Sequence, residues 1–140
     1  MKEMPKKKTT QELHKAAVES RKNSHSPYSK AKVGAAIRLK SGEVFSGCNI
    51  ENASYGATVC AERVAIWKAV SELGKIEIAE VVVVTDAKEA WPPCGMCRQV
   101  LSEFATAKTQ VHTADLKNIQ KTFSFSELLP AVFDSSFLKR

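Results

Sequence analysis

Three cysteines and a glutamate lie in two short blocks of this 140-residue chain, Cys60-Ala61-Glu62 and Pro93-Cys94-Gly95-Met96-Cys97. Three thiolates bind zinc well and leave one tetrahedral position open, which is the feature that separates a catalytic zinc from a structural one. A carboxylate two residues from a ligand can carry the protons of water bound at that position. The two blocks therefore predict hydrolytic chemistry at a zinc site.

The spacing places a structural demand on the first block. Side chains two residues apart on an ideal helix point nearly opposite ways, so Cys60 and Glu62 can converge only if Cys60 lies at the very end of its helix. Cys94 and Cys97 are three residues apart at the predicted start of another helix, where both can face the same way. The sequence therefore predicts an ion located beyond two helix ends.

The charge of such a site needs compensation, since three thiolates and one divalent ion sum to −1. Positive helix N-termini and hydrogen-bond donors to the sulfurs can supply it. Arg63, directly after Glu62, is the candidate donor, with Arg98 the weaker one. Cys48 could close the site as a fourth ligand, but a small core residue is the favoured interpretation.

The chain that must position these residues reads as one domain over residues 9–140, after a flexible basic arm at residues 1–8. Helical periodicity and caps predict four helices, and β-branched runs between turn residues predict strands. Helices and strands that alternate in this way predict an α/β sandwich with a mixed sheet and helices on both faces. The predicted helices are 9–22, 60–73, 94–105 and a short one from Ser124 to Pro130, and the predicted strands are 33–39, 44–50, 80–85 and 110–113.

The formal charge of +6 is concentrated at the ends of the chain, and without the terminal charged residues the remainder carries a net +1. This argues against a basic face for nucleic acid, so no nucleic-acid partner is predicted. No apolar run approaches the length of a membrane span, and no hydrophobic signal region follows the basic N-terminus, so a cytoplasmic location and no membrane partner are expected. In a reducing compartment the four cysteines are better explained as metal ligands or free thiols than as disulfides.

A Cys-x-Glu at a helix start, followed some thirty residues later by Pro-Cys-x-x-Cys, matches the zinc deaminase signature. Beyond these blocks, the chain resembles the cytidine deaminases of nucleoside salvage, the small homotetrameric type, from about residue 13 to residue 138. That resemblance implies a three-layer α/β/α sandwich with a mixed, mainly five-stranded sheet. It is carried by residues 27–30, 33–36, 47–53, 60–63, 93–100 and 127–130.

The resemblance implies one zinc ion per subunit, held by Cys60, Cys94 and Cys97 with water as the fourth ligand. Glu62 would move protons between that water and the substrate. The implied reaction is hydrolytic deamination of cytidine and 2′-deoxycytidine to uridine and 2′-deoxyuridine plus ammonia, in pyrimidine salvage. Arg63 would donate to the ligand sulfurs.

The resemblance also implies how the nucleoside is held. Asn49 and Glu51 match the residues that bind the ribose hydroxyls, and the backbone at Ala61 would contact the pyrimidine carbonyl. Phe133 matches an aromatic residue that reaches the base from a neighbouring subunit, and Tyr55 matches a residue at the subunit contact. A homotetramer with active sites near its subunit interfaces is therefore expected.

One position departs from the family pattern, because Ala31 stands where relatives have an aromatic residue beside the sugar. The pocket is then either wider or filled by another side chain, for which Trp91 is the candidate. Ala31 keeps open a second hypothesis, a deaminase for another cytosine nucleoside such as blasticidin S. Two further alternatives are a polynucleotide-editing deaminase and a non-catalytic zinc module with Cys48 as the fourth ligand.

Overall fold

The computed structural model describes residues 9–139, in which helices cover both faces of one sheet. Thr9 caps the first helix, since its side-chain oxygen accepts a hydrogen bond from the Glu12 amide at 3.2 Å. The helices are α1 (Thr10–Arg21), α2 (Ala61–Leu73), α3 (Gly95–Ser102) and α4 (Phe125–Leu128), with 3₁₀ turns at Tyr55–Ala57 and Ser135–Leu138. The strands are β1 (Gly34–Leu39), β2 (Val44–Cys48), β3 (Ile78–Val84), β4 (Ala105–Ala114) and β5 (Ile119–Ser124).

The five strands form one mixed sheet in the order β2-β1-β3-β4-β5. β1 is antiparallel to both of its neighbours, and β4 is antiparallel to β5. Only β3 and β4 are parallel. The crossover that contains α3 returns the chain to the end of the sheet at which β3 begins, and β4 starts there. The predicted three-layer α/β/α sandwich with a mixed five-stranded sheet is confirmed.

Two apolar cores lie on opposite faces of the sheet. One is built from β1, β3 and β4 residues such as Ile37, Val81 and Val111, packed under α2, α3 and α4. The other packs α1, through Leu13 and Ala17, against the opposite face. The run of four consecutive valines in β3 is explained by this layering, because a strand covered on both faces buries every side chain.

Gly47 in β2 allows α2 to lie directly on the sheet. A Cβ atom at this position would lie 2.7 Å from the Ala65 amide nitrogen and 2.8 Å from the Ala61 carbonyl oxygen, both in the first part of α2. Real Cβ atoms do not approach backbone so closely. The absence of a side chain at Gly47 therefore sets the depth of the α2 N-terminus, the end that carries Cys60 and Glu62.

The structure departs from the predicted elements in the second half of the chain. Helix α3 ends at Ser102 instead of near residue 105, and the predicted short strand 110–113 is part of β4, which starts at Ala105. The sequence pattern does not predict strand β5. Its sequence, Ile-Gln-Lys-Thr-Phe-Ser, is polar because it is an edge strand, so it carries little of the apolar signal that marks a buried strand.

Candidate active site

The start of β1 and the ends of β2 and β3 lie at the same end of the sheet. Gly34 at the start of β1 pairs with Cys48 at the end of β2 and with Val84 at the end of β3. The loop before β1, the segment after β2 and the loop after β3 therefore all leave the sheet on the same side. In α/β sheets the crevice outside the carboxyl ends of the strands is where ligands bind.

The three predicted ligands come together at this end of the sheet. The sulfur atoms of Cys60, Cys94 and Cys97 all lie within 4.8 Å of one another, and Cys60 Sγ lies 3.7 Å from Cys94 Sγ. Tetrahedral zinc with Zn–S bonds near 2.3 Å places its sulfurs about 3.8 Å apart, so the donor set fits zinc. Within the described chain this is the one group of three or more His, Cys, Asp or Glu residues with metal-binding geometry, and Cys48 is outside it.

Both helix ends point at the sulfur cluster. Cys60 is the N-cap of α2 and Cys94 is the N-cap of α3, each with an extended backbone and no side-chain capping bond. Cys60 thus lies just before the first helical residue, as the convergence of Cys60 and Glu62 requires. The first amides of a helix lack intrahelical acceptors and carry partial positive charge, so both termini stabilise negative sulfur.

Electrostatics distinguish the thiols. Cys60 is half-buried, and its pKa is lowered to about 5, mainly by a hydrogen bond with the Cys97 thiol and also by Arg63. The pKa of the buried Cys97 is raised by the same hydrogen bond and by its burial. Burial raises the pKa of a thiol, whereas a bound cation lowers the pKa of each of these thiols because it favours the thiolate form.

Glu62 is a buried carboxyl group beside the sulfurs. It is 3 % exposed and belongs to the first turn of α2. Burial raises its pKa to about 7, and the negative charge of Cys60 adds to the rise. A carboxyl group with this surrounding can both accept and donate a proton near neutral pH.

The two arginines next to the cysteine blocks have different contacts. Arg63 Nη2 donates to Cys60 Sγ at 3.4 Å, which is the contact expected of a donor to the sulfurs. Arg98 instead donates through Nε to the Pro93 carbonyl at 2.8 Å and through Nη1 to the Leu128 carbonyl at 2.9 Å. The weaker hypothesis, that Arg98 also donates to sulfur, is therefore wrong. Arg98 ties the residue before Cys94 to the end of α4.

A pocket of about 350 Å³ opens above the cysteines. Asn49, Glu51, Ala61 and Glu62 line it, together with Cys60 and Cys94. The sequence prediction did not name the remaining lining residues apart from Ala31 and Trp91, because their neutral side chains carry no chemical signal of a site. Those residues are Ser29, Val33, Thr58, Val59, Val83 and Pro92.

Asn49 is held on one wall of this pocket by backbone groups of the loop before β1. Its Nδ2 donates to the Ala31 carbonyl at 2.8 Å, and its Oδ1 accepts from the Val33 amide at 2.9 Å and from the Ser24 hydroxyl. The side chain is 9 % exposed. One Nδ2 proton is left over from these contacts, because an amide NH₂ group has two donors.

Glu51 fixes the neighbouring part of the same loop. Its Oε1 accepts from the Tyr28 and Ser29 amides at 2.9 and 3.1 Å, and its Oε2 accepts from the Ser29 hydroxyl at 2.5 Å. The hydrogen bond from the Ser29 side chain is the main reason that the pKa of Glu51 is lowered. Lys30, inside this loop, has a φ of 64°, a left-handed conformation that costs about 1–2 kcal/mol for a residue other than glycine.

Two predicted residues do not line the pocket of the single chain. The ring of Phe133 is 58 % exposed and stacks on Phe137, with 5.6 Å between ring centroids. Tyr55 is 76 % exposed and makes an edge contact with Tyr28. Trp91 and Ala31 both line the pocket, and Trp91 is 47 % exposed.

A family model, curated relatives and a solved structure all show that this chain is similar to cytidine deaminases. Residues 7–113 match the family model described as the cytidine and deoxycytidylate deaminase zinc-binding region. A protein named cytidine deaminase from Halalkalibacterium halodurans is 47 % identical over 123 residues, which covers 88 % of this chain and 92 % of that protein. One from Mycoplasma pneumoniae is 42 % identical, with 88 % of this chain and 92 % of that protein covered.

A solved structure supports the likeness in three dimensions. The crystal structure of cytidine deaminase from Burkholderia pseudomallei superposes with a TM-score of 0.84 at 38 % sequence identity. The match covers 90 % of this chain and all of that one.

No helix within residues 9–139 combines the length and the apolar character needed to span a bilayer.

Proposed function

This chain belongs to the family of cytidine and deoxycytidylate deaminases, and from that membership we propose that it is a zinc-dependent hydrolase that deaminates cytidine and 2′-deoxycytidine. The observation that carries the proposal is a cluster of three converging thiols at a pocket that two of them line, together with a buried carboxyl group and two polar side chains. The two relatives described above, each covered to 92 % of its length, are named cytidine deaminase, which favours plain nucleosides over the alternatives.

Cys60, Cys94 and Cys97 hold the zinc ion in this proposal, one per subunit. When bound, zinc supplies a Lewis acid at its open position that lowers the pKa of water. Arg63 and the two helix N-termini offset the negative charge of the sulfurs. Glu62 lines the same pocket as Cys60 and Cys94, so a substrate at the cysteines also lies beside its carboxyl group.

Glu62 is the catalytic proton carrier in this proposal. Its carboxylate accepts a proton released by the attacking water and gives it to the ring nitrogen beside carbon 4 of cytosine. It then takes the remaining proton from the added hydroxyl group and gives it to the amino group, which leaves as ammonia while carbon 4 keeps the oxygen as a carbonyl. Water and cytidine thus give uridine and ammonia with atoms in balance. The burial of Glu62 excludes bulk water that would otherwise compete for the proton.

Asn49 and Glu51 hold the ribose in this proposal, and the Ala61 amide meets the pyrimidine carbonyl. The remaining Nδ2 proton of Asn49 can donate to a hydroxyl group, and Glu51 can accept from one. The Ala61 amide is the first of α2 and has no intrahelical acceptor, so it suits a carbonyl oxygen. A nucleoside therefore contacts a donor, an acceptor and a helix end at once.

The test is an ultraviolet assay of cytidine turnover by the wild type and by Glu62→Gln, with zinc content measured in both. Glu62→Gln keeps the size of the side chain but cannot carry the proton. We expect zinc to be retained and kcat to fall by at least about 10²-fold. Glu72→Gln, at an exposed position of the same helix, is the matched control and should keep full activity. Equal turnover by Glu62→Gln and wild type would disprove the mechanism.

The substrate range needs its own measurement, because Ala31 lines the pocket where relatives have an aromatic residue. Turnover of cytidine, 2′-deoxycytidine and blasticidin S by the wild type should be compared under identical conditions. We expect both nucleosides to be substrates and blasticidin S to be a poor one. A preference for blasticidin S would overturn the nucleoside assignment without affecting the zinc site.

We also propose a homotetramer in which Phe133 reaches the pocket of a neighbouring subunit and Tyr55 lies at a subunit contact. The support is the high exposure of both rings in the single chain, since large exposed aromatic groups are typical of interfaces. The reaction would belong to pyrimidine salvage in the cytoplasm, with no nucleic-acid or membrane partner. A monomeric mass by light scattering would contradict the assembly.

A further inference from the structure

The guanidinium group of Arg63 lies between a zinc-ligating sulfur and an aromatic ring. Arg63 Nη2 is 3.4 Å from Cys60 Sγ, and its Cζ atom is 6.0 Å from the centroid of the Trp67 ring. Arg63 and Trp67 are neighbours on one face of α2, because positions four apart on a helix adjoin, and Cys60 is the N-cap at the start of that face. Trp67 is thus in contact with the residue that contacts the metal ligand.

Arg63 is buried and has few partners, so the position of its guanidinium group depends on each of them. The arginine is 8 % exposed, and its buried Nε has no hydrogen-bond partner among the described residues. No carboxylate pairs with it among the described ion pairs. The Cys60 and Cys97 sulfurs and the Trp67 ring therefore define where the guanidinium sits, and loss of the ring leaves only the two sulfurs to hold it.

The outer side of Trp67 belongs to a shallow surface hollow. Trp67 is 53 % exposed and lines this hollow with Ile50, Val59 and Val64. The indole ring therefore separates Arg63 from solvent on that side. Tryptophan is the most favourable ring for a cation above its face, and the interaction strengthens when water is excluded.

We propose that Trp67 is a positioning residue for the metal centre, acting through Arg63: the ring holds the guanidinium against Cys60 and shields it from water, and thereby slows the loss of zinc. The proposal rests on the zinc site of the proposed function but not on the identity of the substrate. Without the ring, Arg63 can turn towards solvent, where its charge is screened. The cluster of three thiolates then keeps less of its compensating charge, and zinc dissociates more readily.

The test measures the rate at which excess chelator removes zinc from the intact enzyme, read with a chromogenic zinc indicator. Trp67→Leu keeps apolar bulk and removes the aromatic face, and Trp67→Phe keeps a smaller ring. Cation–π contacts correspond to about 2- to 30-fold in a rate or equilibrium. We expect release to be faster by this factor in Trp67→Leu and by less in Trp67→Phe. Leu73→Ala, an exposed apolar position further along α2, should release zinc at the wild-type rate.

The decisive step is a double-mutant cycle with Arg63→Gln. If Trp67 acts through Arg63, then Trp67→Leu should accelerate release in the wild-type background and add nothing in the Arg63→Gln background. A wild-type release rate in Trp67→Leu would overturn the proposal, as would an equal acceleration in both backgrounds. A wild type that binds no zinc would instead overturn the proposed metal site, so the two failures are distinguishable.

Discussion

The Ser29 hydroxyl donates a 2.5 Å hydrogen bond to Glu51 Oε2, so a residue that precedes β1 orients a carboxylate that follows β2. The same hydroxyl accepts from the Ala31 amide at 3.0 Å. Ser29 therefore links Glu51 to the turn that contains Lys30 and its left-handed backbone. The pocket wall and the proposed ribose acceptor are a single hydrogen-bonded unit.

We expect Ser29→Ala to raise KM for cytidine by about tenfold with a small change in kcat. Loss of the hydroxyl frees the Glu51 carboxylate and the turn together, whereas Glu62 and the cysteines are not touched. Charge-assisted hydrogen bonds are among the stronger ones, which sets this size. Steady-state kinetics at several substrate concentrations separate the two constants.

The control is Ser41→Ala, because Ser41 makes a similar hydroxyl-to-carboxylate contact with Glu43 at 3.1 Å in the β1–β2 turn. It should leave both constants unchanged. A tenfold fall in kcat at constant KM in Ser29→Ala would show that the contact matters for chemistry instead of binding.

Gly47→Ala should destabilise the protein because the new methyl group meets α2 backbone at 2.7 Å. Backbone cannot move aside as a flexible side chain can, so the cost is about 1–3 kcal/mol, or roughly 3–10 °C in Tm. Thermal unfolding followed by circular dichroism measures it. Gly56→Ala is the matched control, since a Cβ there has no heavy atom within 4 Å, and its Tm should stay at the wild-type value.

Arg98→Lys should weaken the metal site although it preserves the charge. Arg98 donates to the Pro93 and Leu128 carbonyls at once, and a single ammonium group on a shorter, differently shaped side chain cannot reproduce that fork. We expect Tm to fall by about 3–6 °C and zinc to be released faster to a chelator. Unchanged values for both would mean that the link between the Cys94 loop and α4 is dispensable.

We expect the free energy of unfolding to fall in mild acid because of the buried imidazole of His112. The imidazole is 6 % exposed, its Nδ1 lies 2.7 Å from Thr122 Oγ1, and its Nε2 lies 3.7 Å from Glu80 Oε2, which also pairs with Arg38. Burial lowers the pKa of His112, although Glu80 acts in the opposite direction, so desolvation dominates over this long ion pair.

The sign follows from proton uptake. A folded-state pKa below the unfolded value of about 6.5 means that the unfolded chain binds the proton first. The free energy of unfolding should therefore be independent of His112 above that pH and fall as the pH decreases through and below it. His112→Gln should show a shallower fall between pH 7 and pH 5 in urea titrations. An identical pH profile in the variant would contradict the assignment.

Much of the first half of the fold could be predicted because its signals are local. Thr9, the turn at residues 40–43 and Gly74 mark element ends within a few residues of the elements themselves. The polar strand β5 and the start of β4 at Ala105 could not be, since pairing with a distant strand overrides weak local preference there. Arg98 was misjudged for a related reason, because its acceptors are five and thirty residues away and no spacing rule reports them.

Residue types and short spacings are enough to predict the chemistry of the site: three thiols, one nearby carboxyl group and helix starts that place Cys60 and Cys94 at helix ends. These follow from residue type and short spacing, which are properties of the chain. Only folding brings Asn49, Glu51 and Glu62 to one pocket, buries Glu62 and places Trp67 against Arg63. The physical reason is that burial, pKa and hydrogen-bond partners depend on which segments the sheet order brings together, and that order is set by packing between distant parts of the chain.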